Sequence, residues 1–118
     1  MRERSLRVNC IRHLIAFFNL CDANPRIGPT HIYLYLALFR QWVENRFENR
    51  IKVVRRLTMK KGKVTSRSTY HAAIRTLHEC GYICYYPSEN GFENSQVEMI
   101  RFDGGGPLKL FAPAQRKK

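Results

Sequence analysis

The chain has 118 residues, with 21 Lys and Arg against 9 Asp and Glu, which gives a formal net charge of +12 at pH 7. This length fits one domain with its own core, and a hydrophobic fraction of 44% argues against a chain that is disordered throughout. No apolar run approaches the ~18 residues needed to span a bilayer. The basic excess favours a polyanionic partner, because neutralising phosphates releases their counterions.

The first helix is predicted over residues 5–22. Its apolar residues recur at i, i+3, i+4 and i+7, the spacing of a helix face turned toward a core. This stripe consists of Ile11, Leu14, Ile15 and Phe18, and it is widened by Cys10, Phe17 and Cys21. The segment starts basic but lacks a small-residue cleavage site, so we interpret it as an amphipathic helix and expect a cytoplasmic protein with reduced thiols.

The second helix is predicted over residues 31–47, after a proline-containing break and with Thr30 as its N-cap. It carries two apolar stripes, which are Ile32, Tyr35, Leu36, Phe39 and Val43, and then Leu34, Leu38 and Trp42. A helix that is apolar around most of its girth must be buried on more than one side. It is therefore either the central helix of the core or the seam of a homodimer.

A helix-turn-helix order follows in the next segment. We expect a short strand at 51–54, a short helix at 55–61 with Leu57 and either Met59 or Val54 turned inward, and a turn at Gly62-Lys63. The longer helix begins at Thr65 or Ser66, whose side-chain oxygen can cap the first turn. Gly81 suits the left-handed residue that closes a helix.

The longer helix is predicted to have one buried face and one polar face. The buried face is Tyr70, Ala73, Ile74 and Leu77, and the polar face is Arg67, Ser68, His71, Arg75 and His78. We expect Tyr70 to be a core residue whose hydroxyl reaches the rim. A helix with this division can pack on a domain and also enter a DNA major groove.

A β-hairpin is predicted after this helix, with strands at 82–87 and 96–102 and Asn90-Gly91 in the loop. This predicts an α+β fold, a winged helix-turn-helix that is mostly α with a C-terminal β-hairpin wing. The loop carries Glu89 and Glu93, so we expect little phosphate contact from the wing. Residues 1–103 would form the DNA-binding domain with an N-terminal helical extension, and residues 104–118 a Gly/Pro hinge and basic tail.

Positive charge is concentrated between Arg50 and Arg75, where the sequence has nine basic residues and no acidic one. Arg67 stands in the first helical turn, where it can bind guanine bidentately, whereas turn lysines meet phosphates and position the helix. The residues assigned to base edges are Arg67, Ser68, His71 and Arg75. Those assigned to phosphates are Arg55, Arg56, Lys60, Lys61, Lys63, Thr65 and Ser66.

Two other classes of function are open to this composition. A basic module can bind RNA if Tyr85, Tyr86 and Phe92 form an exposed stacking platform. Catalysis is not expected, because Glu44 and Glu48 are the only close carboxylate pair within a predicted helix and would be salt-bridged at its surface. Cysteines 80 and 84 do not have the spacing of a zinc knuckle, and we expect neither a metal nor a cofactor.

The segments HIYLYLALFRQWVENRFEN and STYHAAIRTLHECGYICYYPS resemble small winged-helix proteins encoded by conjugative and mobilisable transposons of gut bacteria. The resemblance covers about residues 28–100. It implies a nucleoid-associated bacterial protein that binds double-stranded DNA as an excision accessory factor or a regulator of transfer genes. It also implies DNA bending or cooperative assembly beside a tyrosine recombinase. The basic pair Arg55-Arg56 departs from this group, whose members often carry acidic residues there.

Overall fold

The computed structural model of the protein describes residues 8–88 and 94–104. Within these residues, four helices pack with a three-stranded antiparallel sheet of strand order β1-β3-β2. The elements are α1 (Cys10–Asp22), α2 (Pro29–Glu44), β1 (Ile51–Val53), α3 (Arg55–Lys61), α4 (Arg67–Glu79), β2 (Ile83–Tyr86) and β3 (Ser95–Met99). The predicted α+β class, mostly α with two antiparallel strands after the last helix, is confirmed.

Helix α2 is the central helix of the core. Leu34, Tyr35 and Leu38 have no exposed surface, and α2 contacts both α3 and α4. Most apolar side chains of the two predicted stripes are therefore buried within one chain or pack against its core. Val43 is the exception, since it was predicted on a stripe but is 39% exposed. The structure supports the central-helix interpretation, and residue 38 is not available as a dimer seam.

Both ends of α2 differ from the prediction. The helix begins at Pro29 with Gly28 as N-cap, so Thr30 lies inside the first turn. Proline suits this position because the first amides of a helix have no intrahelical partner. Residues 45–47 are not helical, since Arg46 and Phe47 take positive φ angles of 58° and 61°.

Helix α1 presents a different face to the core from the one predicted. It begins at Cys10, because Asn9 caps it by accepting a hydrogen bond from the Arg12 amide. The buried side chains are His13, Phe17 and Cys21, whereas Ile11 is 73% exposed and Ile15 is 56% exposed. The predicted inward stripe is thus wrong for Ile11, Ile15 and Phe18, which are exposed. Its other members, Cys10, Leu14, Phe17 and Cys21, are buried or pack against the core.

The position of His13 explains which face of α1 is turned to the core, because this side chain is fully buried among aromatic rings. Its ring stacks on Phe39 and Phe102, with centroids 5.4 and 5.1 Å away. Its Nδ1 accepts a hydrogen bond from the Phe102 amide at 3.1 Å, so Nε2 carries the proton and contacts the Tyr35 hydroxyl at 2.6 Å. The imidazole therefore links α1, α2 and the chain after β3.

The sheet includes a pairing that the sequence did not indicate. β3 lies between β1 and β2, with Ile51 opposite one side of Val97 and Tyr85 opposite the other. Both hairpin strands are shorter than predicted, at 83–86 and 95–99. The predicted loop features Glu89, Asn90-Gly91 and Glu93 lie outside the described residues, as do the tail 105–118 and residues 1–7.

None of the helices in the described ranges combines the length and apolar character needed to cross a membrane.

Candidate nucleic-acid interface

Local signals at its two ends hold α4 in place. Ser66 is the N-cap, and its Oγ accepts a hydrogen bond from the Thr69 amide at 3.3 Å. At the other end Gly81 has a φ of 85°, and the Gly81 and Tyr82 amides donate back to the carbonyls of His78 and Leu77. This Schellman motif confirms the predicted end of the helix and directs the chain into β2.

The polar face of α4 is exposed, as its periodicity predicted. Tyr70, Ala73, Ile74 and Leu77 are buried. The four residues assigned to base edges all lie on the surface, and they are Arg67, Ser68, His71 and Arg75. Their positions fall within one strip of the helix, because residues three and four apart share a face. The structure therefore places these side chains together.

The tautomer of His71 is set by its neighbour one turn back. Its Nδ1 lies 3.1 Å from the Arg67 carbonyl oxygen, and a carbonyl can only accept a hydrogen bond. The neutral ring therefore carries its proton on Nδ1 and leaves Nε2 as an acceptor. This chemistry suits the exocyclic amino group of adenine or cytosine in a major groove.

Gly62 and Lys63 have different structural roles in the turn between α3 and α4. A Cβ on Gly62 would lie 3.0 Å from Leu34 Cδ1 and 3.1 Å from the Thr58 carbonyl oxygen, so glycine allows the turn to press against α2. Lys63, not Gly62, takes the left-handed conformation, with a φ of 60°. A lysine thus stands where glycine would be less strained, and its side chain is exposed.

The remaining phosphate candidates differ in exposure. Arg56, Lys60, Thr65 and Ser66 are exposed, whereas Lys61 is half-buried. Arg55 is also half-buried, with Nη1 3.9 Å from Met59 Sδ. Leu57 was expected inside, with either Met59 or Val54, but it is 53% exposed. It lies between Arg56 and Lys60 on the outer face of α3, where Thr58 and Met59 supply the buried contacts.

Among the described residues, no ion pair within 4.0 Å neutralises the positive charge of this region. In residues 8–88 and 94–104, the ion pairs are Arg26–Glu79 at 2.6 Å and Arg101–Asp103 at 2.8 Å. Neither pair involves the nine basic residues between Arg50 and Arg75. Glu79 is the last residue of α4 and lies at the opposite end of the helix from its first turn. The hydrogen bond from Arg26 lowers the pKa of the Glu79 carboxyl. The start of α4 and the preceding turn are therefore positive.

A cleft between α4 and β2 was not part of the interface predicted from the sequence. It has a volume of about 250 Å³ and is lined by His71, Ile74, Arg75, His78, Tyr85 and Pro87. The Tyr85 amide donates to Nδ1 of His78 at 3.1 Å, which joins the last turns of the helix to the strand. His78 stands three residues after Arg75 and seven after His71, so helical spacing already placed it on this face.

Tyr70 is a core residue, as predicted, but its hydroxyl does not reach the rim. The side chain is 1% exposed, and within the described residues its hydroxyl has no hydrogen-bond partner. Burial raises the pKa of Tyr70 to about 12. This hydroxyl therefore does not contribute to the exposed face of α4.

The aromatic residues of the sheet do not form an open stacking surface in the described region. The guanidinium of Arg50 lies 3.8 Å from the ring centroid of Tyr86 and covers that ring, and the Tyr86 hydroxyl donates to Glu98 at 3.0 Å. Tyr85 packs against the core. Phe92, the third member of the expected platform, lies outside the described residues.

Among the described residues no group of three or more His, Cys, Asp and Glu side chains is arranged to hold a metal ion, and all four cysteines are free thiols. Glu48 lies beyond the end of α2, so it does not share a helix face with Glu44. The predicted salt-bridged pair is absent, since neither carboxylate has an ion-pair partner in the described ranges.

Comparisons with protein-family models, with curated proteins and with solved structures find no match to this chain.

Replacing Lys63 tests its role at the turn. If its ammonium contacts a DNA phosphate, Lys63→Ala and Lys63→Gly should both flatten the plot of log affinity against log salt concentration by about one unit. Lys63→Gly should also be the more stable of the two by about 1 kcal/mol, because glycine adopts the left-handed conformation without strain. DNA titrations across salt concentrations and denaturant unfolding measure the two effects, and an unchanged slope would remove Lys63 from the phosphate contacts.

Proposed function

We propose that this protein binds double-stranded DNA in a sequence-specific manner through a winged-helix domain, with α4 as the recognition helix. The order of helices α2, α3 and α4 followed by the β2–β3 hairpin, with β1 added to the sheet, supports this architecture. The observation that carries the proposal is the exposed polar face of α4. It joins a turn and a short helix whose cations have no carboxylate partner in the described residues.

The parts of this surface suit different parts of a duplex. Lys63 and the exposed side chains of α3 precede the first turn of α4, where cations meet phosphates and fix the register of a helix. Arg67 occupies the first turn, and N-terminal residues of a recognition helix approach base edges. The helix dipole adds a favourable field for phosphate at the same end.

The cellular role that we propose is an excision accessory factor for a mobile element, a regulator of its genes, or both, in the bacterial cytoplasm. This proposal includes cooperative assembly on DNA or a homodimer, and contact with a recombinase. Footprinting the purified protein on the ends of its own element and on neighbouring promoters distinguishes excision from transcriptional control. RNA binding is less well supported, because Tyr85 and Tyr86 are occupied by contacts within the fold.

Arg67→Ala is expected to weaken binding to a specific duplex by about 1–3 kcal/mol and to relax the preference at one base pair. The specific duplex is obtained by selecting from a randomised pool with the wild-type protein. Arg40→Ala is the matched control, because Arg40 is an exposed arginine of α2 and is not among the residues assigned to DNA contact. Equal weakening of selected and random duplexes by Arg67→Ala would contradict base recognition, and tighter binding to single-stranded RNA would favour the alternative function.

A further inference from the structure

The cleft between α4 and β2 combines donors with an apolar floor. Arg75 and His78 line it together with Tyr85 and Pro87, and Ile74 at its base is 1% exposed. We propose that this cleft holds one backbone phosphate of bound DNA, with Arg75 and His78 as donors and the apolar walls against the adjoining deoxyribose. This inference rests on the proposed DNA-binding function and adds His78 to the surface.

The two imidazoles of the cleft present opposite hydrogen-bonding groups. Nδ1 of His78 accepts from the Tyr85 amide, so the neutral ring carries its proton on Nε2 and that nitrogen is a donor. His71 is held in the other tautomer by the Arg67 carbonyl, which leaves Nε2 as an acceptor. Phosphate oxygens only accept hydrogen bonds, so His78 fits a phosphate, whereas neutral His71 fits an amino group on a base.

Position along α4 also separates Arg75 and His78 from the residues that contact bases. They lie ~12 and ~16 Å from Arg67 along the helix axis. A straight helix in the major groove touches base edges mainly with its N-terminal residues, while residues farther along meet the backbone as the groove curves away. Arg75, assigned to base edges from the sequence, is therefore reassigned to phosphate and acts as a positioning residue.

The hydrogen bond between Tyr85 and His78 gives the donor a fixed direction. A side chain that is already tied to the strand loses less freedom when it contacts a ligand. The same bond allows a conservative test, because the Oδ1 of asparagine can take the place of the imidazole Nδ1 and accept from the Tyr85 amide. His78→Asn then removes the donor at the Nε2 position without removing the connection to β2, because the asparagine side chain is shorter and its Nδ2 does not reach that position.

The test compares Arg75→Gln, His78→Asn and Arg67→Gln in the full chain, on a duplex selected by the wild-type protein and on a random duplex. Circular dichroism first establishes that each variant is folded. Between about 50 and 200 mM salt, Arg75→Gln should reduce the salt slope by about one unit on both duplexes and leave their affinity ratio unchanged. His78→Asn should weaken both by the same factor, whereas Arg67→Gln should lower the ratio.

A fall in the affinity ratio with Arg75→Gln would show base contact, and an unchanged affinity with His78→Asn would show that the donor touches nothing; either result overturns the inference. If the wild-type protein binds neither duplex, the proposed function itself fails. The two failures are therefore distinguishable.

Discussion

Replacing Leu38 by glutamate is expected to unfold the protein rather than to dissociate a dimer. Leu38 is fully buried within a single chain, and an unpaired carboxylate in such a position costs several kcal/mol. This approaches the ~5–15 kcal/mol that stabilises a typical domain. Leu38→Ala, which only removes side-chain contacts, should cost about 2–5 kcal/mol. Thermal and denaturant unfolding, followed by circular dichroism, measure both effects.

Val43→Glu is the control for this prediction. Val43 lies on the same helix but is 39% exposed, so a charge there remains in water and should change stability little. Sedimentation of the variants provides the second measurement. A folded Leu38→Glu variant that is monomeric, beside a dimeric wild type, would restore the interpretation of α2 as a dimer seam.

The segment from residue 55 to residue 81 could be predicted from the sequence because its signals are local. The short helix, the cap at Ser66 and the end at Gly81 each depend on residues within one or two turns. The apolar residues of α4 have an unambiguous helical spacing, which also identifies the opposite face as the exposed one. The exposed basic and polar surface that we propose for DNA is therefore visible in the sequence.

The features that were missed depend on partners distant in the chain. Helix α1 is apolar on more than one side, and contacts with distant residues decide which side is buried. His13 donates a hydrogen bond to the Tyr35 hydroxyl and accepts one from the Phe102 amide. The pairing of β1 with β3 is a contact between residues more than forty positions apart, and three residues carry too little periodicity to indicate it. The cleft beside His78 likewise requires the strand to fold back onto the helix.

Acid is expected to destabilise the protein through His13. Burial lowers the pKa of His13 from its ordinary value of 6.5 to about 4, although the nearby Asp103 carboxylate opposes this shift. The unfolded chain therefore binds a proton at a higher pH than the folded chain does. The stability supplied by neutral His13 is complete above pH 6.5, falls as the pH drops toward 4, and decreases by about 3 kcal/mol in all.

Denaturant unfolding of wild type and His13→Phe across this pH range measures the effect. Phenylalanine keeps a ring between Phe39 and Phe102 but leaves the Tyr35 hydroxyl and the Phe102 amide without their partner, so the variant should be less stable at pH 7 by about 1–3 kcal/mol. Its stability should also change less between pH 6.5 and 4, because the titrating group is gone.

His71→Gln, an exposed control, should retain the wild-type pH dependence. Parallel curves for wild type and His13→Phe would mean that other groups cause the acid sensitivity, since His13 is the one described histidine that lies wholly inside the core.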